Sequence, residues 1–298
     1  MFRIPVLSRL YLTDYLNIVF VFLALALENI LRACINILPD KLVDSFQGIN
    51  FTQYRRDIDY FCEVDYHYTT TKDNYVLCMH RLPNEGKPVV LLWHGCMMSS
   101  EVWVCSRKEL SIAKYIHSLG YDVWMGNNRG NKYSKKHLYL SNATEEYWNF
   151  SLDHFILLDI PAVVDFMLKF TKQSTFSYVG FSQGTAQFFG ALSAIPELEE
   201  KLNVMIALSA VIKPNSLRKS IPAALIQSSP ALLFLLFGHR SILSVTNFWS
   251  KTLNAKYFAK IIDFSVNILF NWKSDKIDAN DKVFHIHLVD IIPSFILY

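Results

Sequence analysis

The sequence predicts an α/β fold: a mainly parallel sheet covered by helices. Three observations carry this reading. Short apolar runs rich in β-branched residues recur along the chain, as in strands buried on both faces. Stretches with helical spacing separate them, in the strand, helix, strand order of a parallel sheet. Each run also stops at glycine or a polar cluster, where a strand emerges from a sheet edge. Of the 298 residues, 52% are hydrophobic and only 18% charged, against about 25% charged in average domains. Disorder is thereby excluded and an association with membrane or lipid is indicated. The formal net charge of +3 is too near zero for a protein that holds phosphate backbones electrostatically, so nucleic acid is not an expected partner. Cys34, Cys62, Cys78, Cys96 and Cys105 are odd in number and irregularly spaced. They describe neither a disulfide framework nor a zinc site.

The elements follow in order. Residues 18–27 are unbroken apolar text, preceded by Arg3 and Arg9 and followed by Glu28, Asn29 and Arg32. A spanning helix needs about 20 mostly apolar residues. Residues 15–38 therefore cross a membrane as a transmembrane helix only by accepting Asn17, Glu28 and Arg32, which are costly there. An interfacial or hairpin anchor serves equally well. No small-residue cleavage site follows the run, as a signal peptide would require. The expectation is an uncleaved hydrophobic membrane anchor over residues 1–45, with a signal peptide or an ordinary packed helix as alternatives.

Residues 64–71 and 74–81 alternate in period two around Thr71-Lys72-Asp73-Asn74, which reads as a β-hairpin. Residues 88–93 (PVVLLW) form a buried strand ending at His94-Gly95. A helix over 109–119 closes at Gly120, and the strand 121–125 stops at Gly126-Asn127-Asn128-Arg129-Gly130. A helix follows over 152–170, with Ser151 as N-cap and Pro161 as a kink or break; further strands are expected at 176–179 and 204–208. The α/β core thus occupies 50–210. Residues 221–237 and 245–271 read as apolar helices laid over it, within a helical cap region and divergent tail spanning 211–298.

Gly180-Phe181-Ser182-Gln183-Gly184 is a G-x-S-x-G sequence between a strand and a helix expected over 185–194. That is the setting of a nucleophile elbow, in which a strained turn lifts a serine hydroxyl above the sheet and small flanking residues let helix and strand approach. Acyl transfer also needs two backbone N–H groups aimed at the oxygen that becomes negative, one after the nucleophile and one from a loop after an earlier strand. Gln183 and Cys96 occupy those positions. Cys96 is read as an amide donor. A thiol nucleophile partnered by His94 is the less specified alternative, and His94 is read as holding the loop. Lys132, Lys135, Lys136 and His137 form a basic cluster, facing either solvent or anionic headgroups, and Trp148 and Phe150 read as core. Three glycosylation sequons begin at Asn50, Asn142 and Asn149, with no convincing signal peptide to support their use.

The elbow, the His94-Gly95 loop, the stretches 121–133 (YDVWMGNNRGNKY) and 147–162 (YWNFSLDHFILLDIPA), and the hairpin 73–83 (DNYVLCMHRLP) together resemble the acid-lipase family of α/β-hydrolases. Within that family the chain is most similar to fungal sterol esterases, over roughly 57–273. The resemblance implies an α/β-hydrolase fold with a helical cap, hydrolysis of steryl esters with triacylglycerols as the competing substrate, and anchorage at a lipid-droplet or endoplasmic-reticulum membrane, the catalytic domain on the cytosolic side. It implies Ser182 as nucleophile and the amides of Cys96 and Gln183 as oxyanion hole. No metal or organic cofactor is required. Cys96 departs from the leucine usual after His-Gly, a change that a backbone donor tolerates.

The charge-relay acid and base do not follow from the resemblance. Asp263, Asp275, Asp278, Asp281 and Asp290, with His239, His285 and His287, have the required order after Ser182, but no parallel-strand pattern precedes the aspartates. The expectation is a chain whose C-terminal strands with the relay Asp and His are missing, that is, a truncated chain. Two functions remain open on the sequence: a steryl ester or acylglycerol hydrolase, and a catalytically incompetent lipid-surface protein.

Overall fold

The computed structural model describes residues 58–60, 62–96, 98–105, 111–142 and 144–211, together with Val19, Leu23, Ala26, Leu27, Ile30, Lys260 and Asp263. Most of the expected cap helices and tail, and most of the expected anchor, lie outside these residues; Lys260 and Asp263, within the helix expected over 245–271, are helical. Among the described residues, no helix is long and apolar enough to cross a membrane.

Among the described residues, seven strands make one mixed sheet: β1 (Asp65–Thr70), β2 (Tyr75–Leu82), β3 (Val89–Trp93), β4 (Asp122–Gly126), β5 (Lys136–His137), β6 (Phe176–Phe181) and β7 (Leu202–Leu208). The order across the sheet is β1-β2-β4-β3-β6-β7, with β5 paired to β2. The first two strands form the expected hairpin and pair antiparallel, as β2 does with β4. From β4 onward the pairing is parallel. In β3 the pleat divides a continuous apolar run between two cores. Val89, Leu91 and Trp93 join Trp124, Tyr178 and Phe188 on one face, whereas Val90 and Leu92 join Val123, Met125 and Val179 on the other.

The helices are α1 (Ile112–Ser118), α2 (Leu152–His154), α3 (Ile160–Thr171), α4 (Gln183–Ala194) and α5 (Glu197–Lys201). Ala113 of α1 seals the second core. Ile160, Val163, Val164 and Met167 of α3 and Phe188 and Ala191 of α4 seal the first. Ser151 does precede α2, its amide donating to His154 Nδ1 at 3.0 Å. The irregularity expected at Pro161 appears just before it. A π-helical turn, Phe155–Asp159, joins α2 to α3, with Pro161 in the first turn of α3. Proline has no N–H for the preceding turn, so the ladder is already broken where the helix widens. Trp148 and Phe150 are buried in the first core, as their sequence context indicated.

The register sets the site. Trp93 lies opposite Gly126 on one side and Gly180 on the other, so β3 and β4 end level and β6 ends one residue beyond them. His94-Gly95, Asn127-Asn128-Arg129 and Ser182 consequently emerge at one edge of the sheet. The chain runs from β3 to β4 on one side and then crosses to β6 on the other. This edge between β3 and β6 is the topological switch point, where α/β sheets bind ligands.

Candidate active site

Ser182 sits between β6 and α4 at φ 51° and ψ −114°, a conformation that costs a residue with a side chain about 1–3 kcal/mol. The surroundings hold it there. Its amide donates to the Leu208 carbonyl of β7 at 2.9 Å, and its carbonyl accepts the Thr185 amide at 2.9 Å and the Thr185 hydroxyl at 2.6 Å. The flanking glycines are required by close approach. A Cβ on Gly184 would lie 2.7 Å from the Trp93 carbonyl oxygen and 2.8 Å from that of His94, and one on Gly180 would lie 3.0 Å from the backbone of Gly184. Helix α4 is thus pressed onto the end of β3, with the serine at the crest of the turn.

Gln183 is the first residue of α4. Its N–H is among those that a helix leaves without an internal acceptor, at the positive end of the helix dipole. The Gly95-Cys96 loop lies alongside, since a Cβ on Gly95 would come 3.3 Å from Ser182 Cβ and 3.0 Å from the Phe181 ring. Cys96 is exposed. The elbow and the loop proposed for the oxyanion hole therefore meet at one place.

His94 holds this loop. Its Nδ1 bonds the Gly95 carbonyl at 2.8 Å, and its Nε2 accepts the Asn128 amide at 3.2 Å. Those partners assign a neutral ring with the proton on Nδ1. Complete burial, opposed only weakly by the Gly95 carbonyl, lowers its pKa to about 4. A ring so placed is not a partner for the Cys96 thiol. Three asparagines extend the support. Asn128 Oδ1 accepts from Trp93 Nε1 at 2.8 Å, and Asn131 donates to Asn127 Oδ1 at 2.8 Å. Asn127 in turn accepts the Ser100 amide at 2.9 Å. Ser100 Oγ pairs with His80 Nδ1 at 2.7 Å, and burial, assisted by the Lys132 charge, lowers the His80 pKa to about 3.

Arg129, between Asn128 and Gly130, is fully buried. Its Nε and Nη2 donate to Asp159 Oδ1 at 2.8 and 2.6 Å, its amide donates to Asp159 Oδ2 at 3.1 Å, and its other edge pairs with Asp73. The guanidinium lies 4.1 Å from the centre of the Tyr75 ring. Burial opposes its charge, but the two carboxylates outweigh burial and raise its pKa above the usual arginine value. Asp159 closes the π-helical turn, so the widened helix is where α3 delivers a carboxylate to the asparagine loop. Asn127, Asn128, Asn131, Arg129 and Asp159 carry no role in the sequence reading above. The available signal was the run of short amides and an arginine directly after a strand.

Among the described residues, no imidazole hydrogen-bonds Ser182 Oγ. His80, His94, His137 and His154 are each engaged elsewhere. Of the carboxylates and histidines considered for the relay, only Asp263 is described, helical and half-buried; the others lie outside the described residues. Among the described residues, no cluster of His, Cys, Asp and Glu has the makings of a metal site.

Comparison with known proteins gives concordant matches. Residues 51–107 match a family described as a partial alpha/beta-hydrolase lipase region, and residues 88–234 match the alpha/beta hydrolase fold. A probable lipase of Schizosaccharomyces pombe is 35% identical over 305 residues, covering 93% of this chain and 69% of the relative. A second probable lipase of that yeast is 40% identical over 232 residues, covering 74% of this chain and 50% of the relative. The lysosomal acid lipase/cholesteryl ester hydrolase of Macaca fascicularis is 38% identical over 187 residues, covering 60% and 46%. The chain therefore spans about half to two-thirds of the length of these relatives. Among solved structures, carboxylesterase CesB from Bacillus subtilis aligns with a TM-score of 0.44 at 15% identity, covering 80% of this chain and 65% of that one. The chain belongs to the α/β-hydrolase-fold lipases, a family of carboxylic ester hydrolases.

Proposed function

We propose that the protein is a serine ester hydrolase that cleaves steryl esters to sterol and fatty acid. The observation that carries the proposal is the strained Ser182 at the end of β6, facing the Gly95-Cys96 loop with the Gln183 amide behind it. In the reaction Ser182 Oγ attacks the ester carbonyl and passes its proton to a base. The tetrahedral oxyanion accepts hydrogen bonds from the Gln183 and Cys96 amides, the sterol leaves with a proton, and water cleaves the acyl-enzyme. Among the described residues, no imidazole fills that role. The relative named for cholesteryl ester hydrolysis supports the steryl substrate; relatives named lipases favour triacylglycerol as the second reading.

The same reading places the protein at a membrane or lipid-droplet surface with its catalytic domain on the cytosolic side. Val19, Leu23, Ala26, Leu27 and Ile30 are helical and exposed, and their spacing puts them on one helical face. Such a stripe suits an interfacial anchor.

The test is hydrolysis of emulsified steryl ester and triacylglycerol side by side. The proposal expects faster release of fatty acid from the steryl ester. Ser182→Ala should lower that release by about ten-thousand-fold or more with an unchanged melting temperature. Substantial turnover in Ser182→Ala overturns the mechanism, and a preference for triacylglycerol overturns the substrate.

A further inference from the structure

Two turns meet at the sheet edge that carries Ser182. The His137 ring closes β5: Nδ1 accepts the amides of Tyr139 at 3.0 Å and Leu140 at 2.9 Å, and Nε2 donates to the Asp73 carbonyl at 2.9 Å. The Leu138 amide donates to the Asn74 carbonyl at 3.0 Å. The turn after β5 is thus fastened to the β1–β2 turn. What it holds outward is apolar, with Leu138 48%, Tyr139 79% and Leu140 37% exposed. Lysines surround it. Lys72 is exposed on the β1–β2 turn, and Lys135 and Lys136 border an open hollow of about 430 Å³.

The position is as informative as the composition. Strand β2 passes the end of β4 at Met79 opposite Gly126 and runs four residues further to Tyr75, about 13 Å. It lies three strands from β6, about 14 Å sideways. The fastened turns therefore project past the sheet on the same side as Ser182. A tyrosine flanked by leucines suits the headgroup boundary of a bilayer, and adjacent lysines are attracted by anionic lipid.

We propose that Leu138, Tyr139 and Leu140, with Lys72, Lys135 and Lys136, dock the protein on an anionic lipid surface and turn the Ser182 edge toward it. The inference deepens the reading of the protein as a lipid ester hydrolase and rests on it. Glu145 and Glu146 are exposed just beyond, so the preference for anionic lipid comes from the turns themselves rather than from a uniformly basic face.

The experiment is cosedimentation of the whole protein with phosphatidylcholine vesicles, with and without phosphatidylserine, at about 0.1 M salt. The parent should bind phosphatidylserine vesicles more tightly. Lys72→Gln with Lys136→Gln should lower that binding about 25-fold, at about fivefold per lysine, and leave phosphatidylcholine binding unchanged. Leu138→Ser with Tyr139→Ser should weaken binding to both vesicles. All four side chains border solvent, so melting temperatures should match the parent's. Equal binding of the parent to both vesicles, or lysine substitutions without effect, overturns the proposal. Ser182→Ala should bind like the parent, so docking and catalysis fail separately: binding that responds to the turn substitutions in a protein without hydrolytic activity refutes only the catalytic reading.

Discussion

Arg129→Met removes a buried cation from between two carboxylates while keeping most of its volume. Arg129 and Asp159 are both fully buried, whereas the Asp73 side chain is 33% exposed. Breaking a buried pair by removing one partner costs about 3–5 kcal/mol, because the other charge is left without compensation. The partly exposed arm to Asp73 adds less than about 1 kcal/mol. At about 2–4 °C per kcal/mol for a domain of this size, the melting temperature should fall by about 6–20 °C. The pH dependence has a definite sign. Burial pushes the Asp159 carboxyl up, opposed by Arg129, and without the guanidinium that opposition is largely gone. An acid whose folded pKa is raised binds its proton more readily in the folded state, so stability falls as pH rises from the unfolded value toward the folded one. Thermal unfolding of parent and variant at pH 5 and pH 8 reads this directly; the deficit should be larger at pH 8. Lys201→Met provides the control, since the Lys201 and Asp165 side chains are 37% and 65% exposed at 3.1 Å and their loss should cost under about 1 kcal/mol. A deficit for Arg129→Met no larger than that of Lys201→Met, or one equal at both pH values, would refute the reasoning.

Three further outcomes concern the site. Ser182→Gly should raise stability in urea by about 1–2 kcal/mol by releasing the strain at φ 51°, and Ser182→Ala should not; equal stabilities would show that no strain is stored there. Cys96→Ala should keep ester hydrolysis within a fewfold of the parent, while Cys96→Pro, which lacks the N–H, should lower kcat about a hundredfold or more; a reversed order would make the thiol the active group. His94 has a folded pKa lowered to about 4 from an ordinary value near 6.5. The unfolded chain then takes up a proton first as pH falls, so up to about 3 kcal/mol of stability should be lost between about pH 6.5 and 4. His94→Asn should remove one proton from the slope of stability against pH in that window, and an unaltered slope would contradict the neutral assignment.

The strands were legible because burial on both faces leaves continuous apolar text. Residues 88–93 predicted β3, observed at Val89–Trp93, and 176–179 found β6 but not its last two residues, Gly180 and Phe181. The elbow was legible because its glycines answer a local steric demand: Gly184 touches the end of β3, and nothing larger fits. Strand β5 escaped notice because two residues carry no period. The π-helical turn was read only as a proline kink, since its cause includes a tertiary one: Asp159 must reach Arg129, 30 residues away. The ion cluster and asparagine network were invisible for the same reason. Asp73 and Arg129 are 56 residues apart, as charged text indistinguishable from surface. The basic cluster read as a single unit divides in the structure: Lys132 pairs with Glu101 at 2.5 Å, His137 is spent on backbone groups, and Lys135 and Lys136 border the hollow.

The account stands on Ser182 as an activated nucleophile, and labelling with an active-site-directed fluorophosphonate measures that directly. The protein should be labelled to near completion at Ser182, identified by peptide mass, and Ser182→Ala, equally folded, should not be labelled. Failure of the parent to label, or labelling that persists in Ser182→Ala, would contradict it.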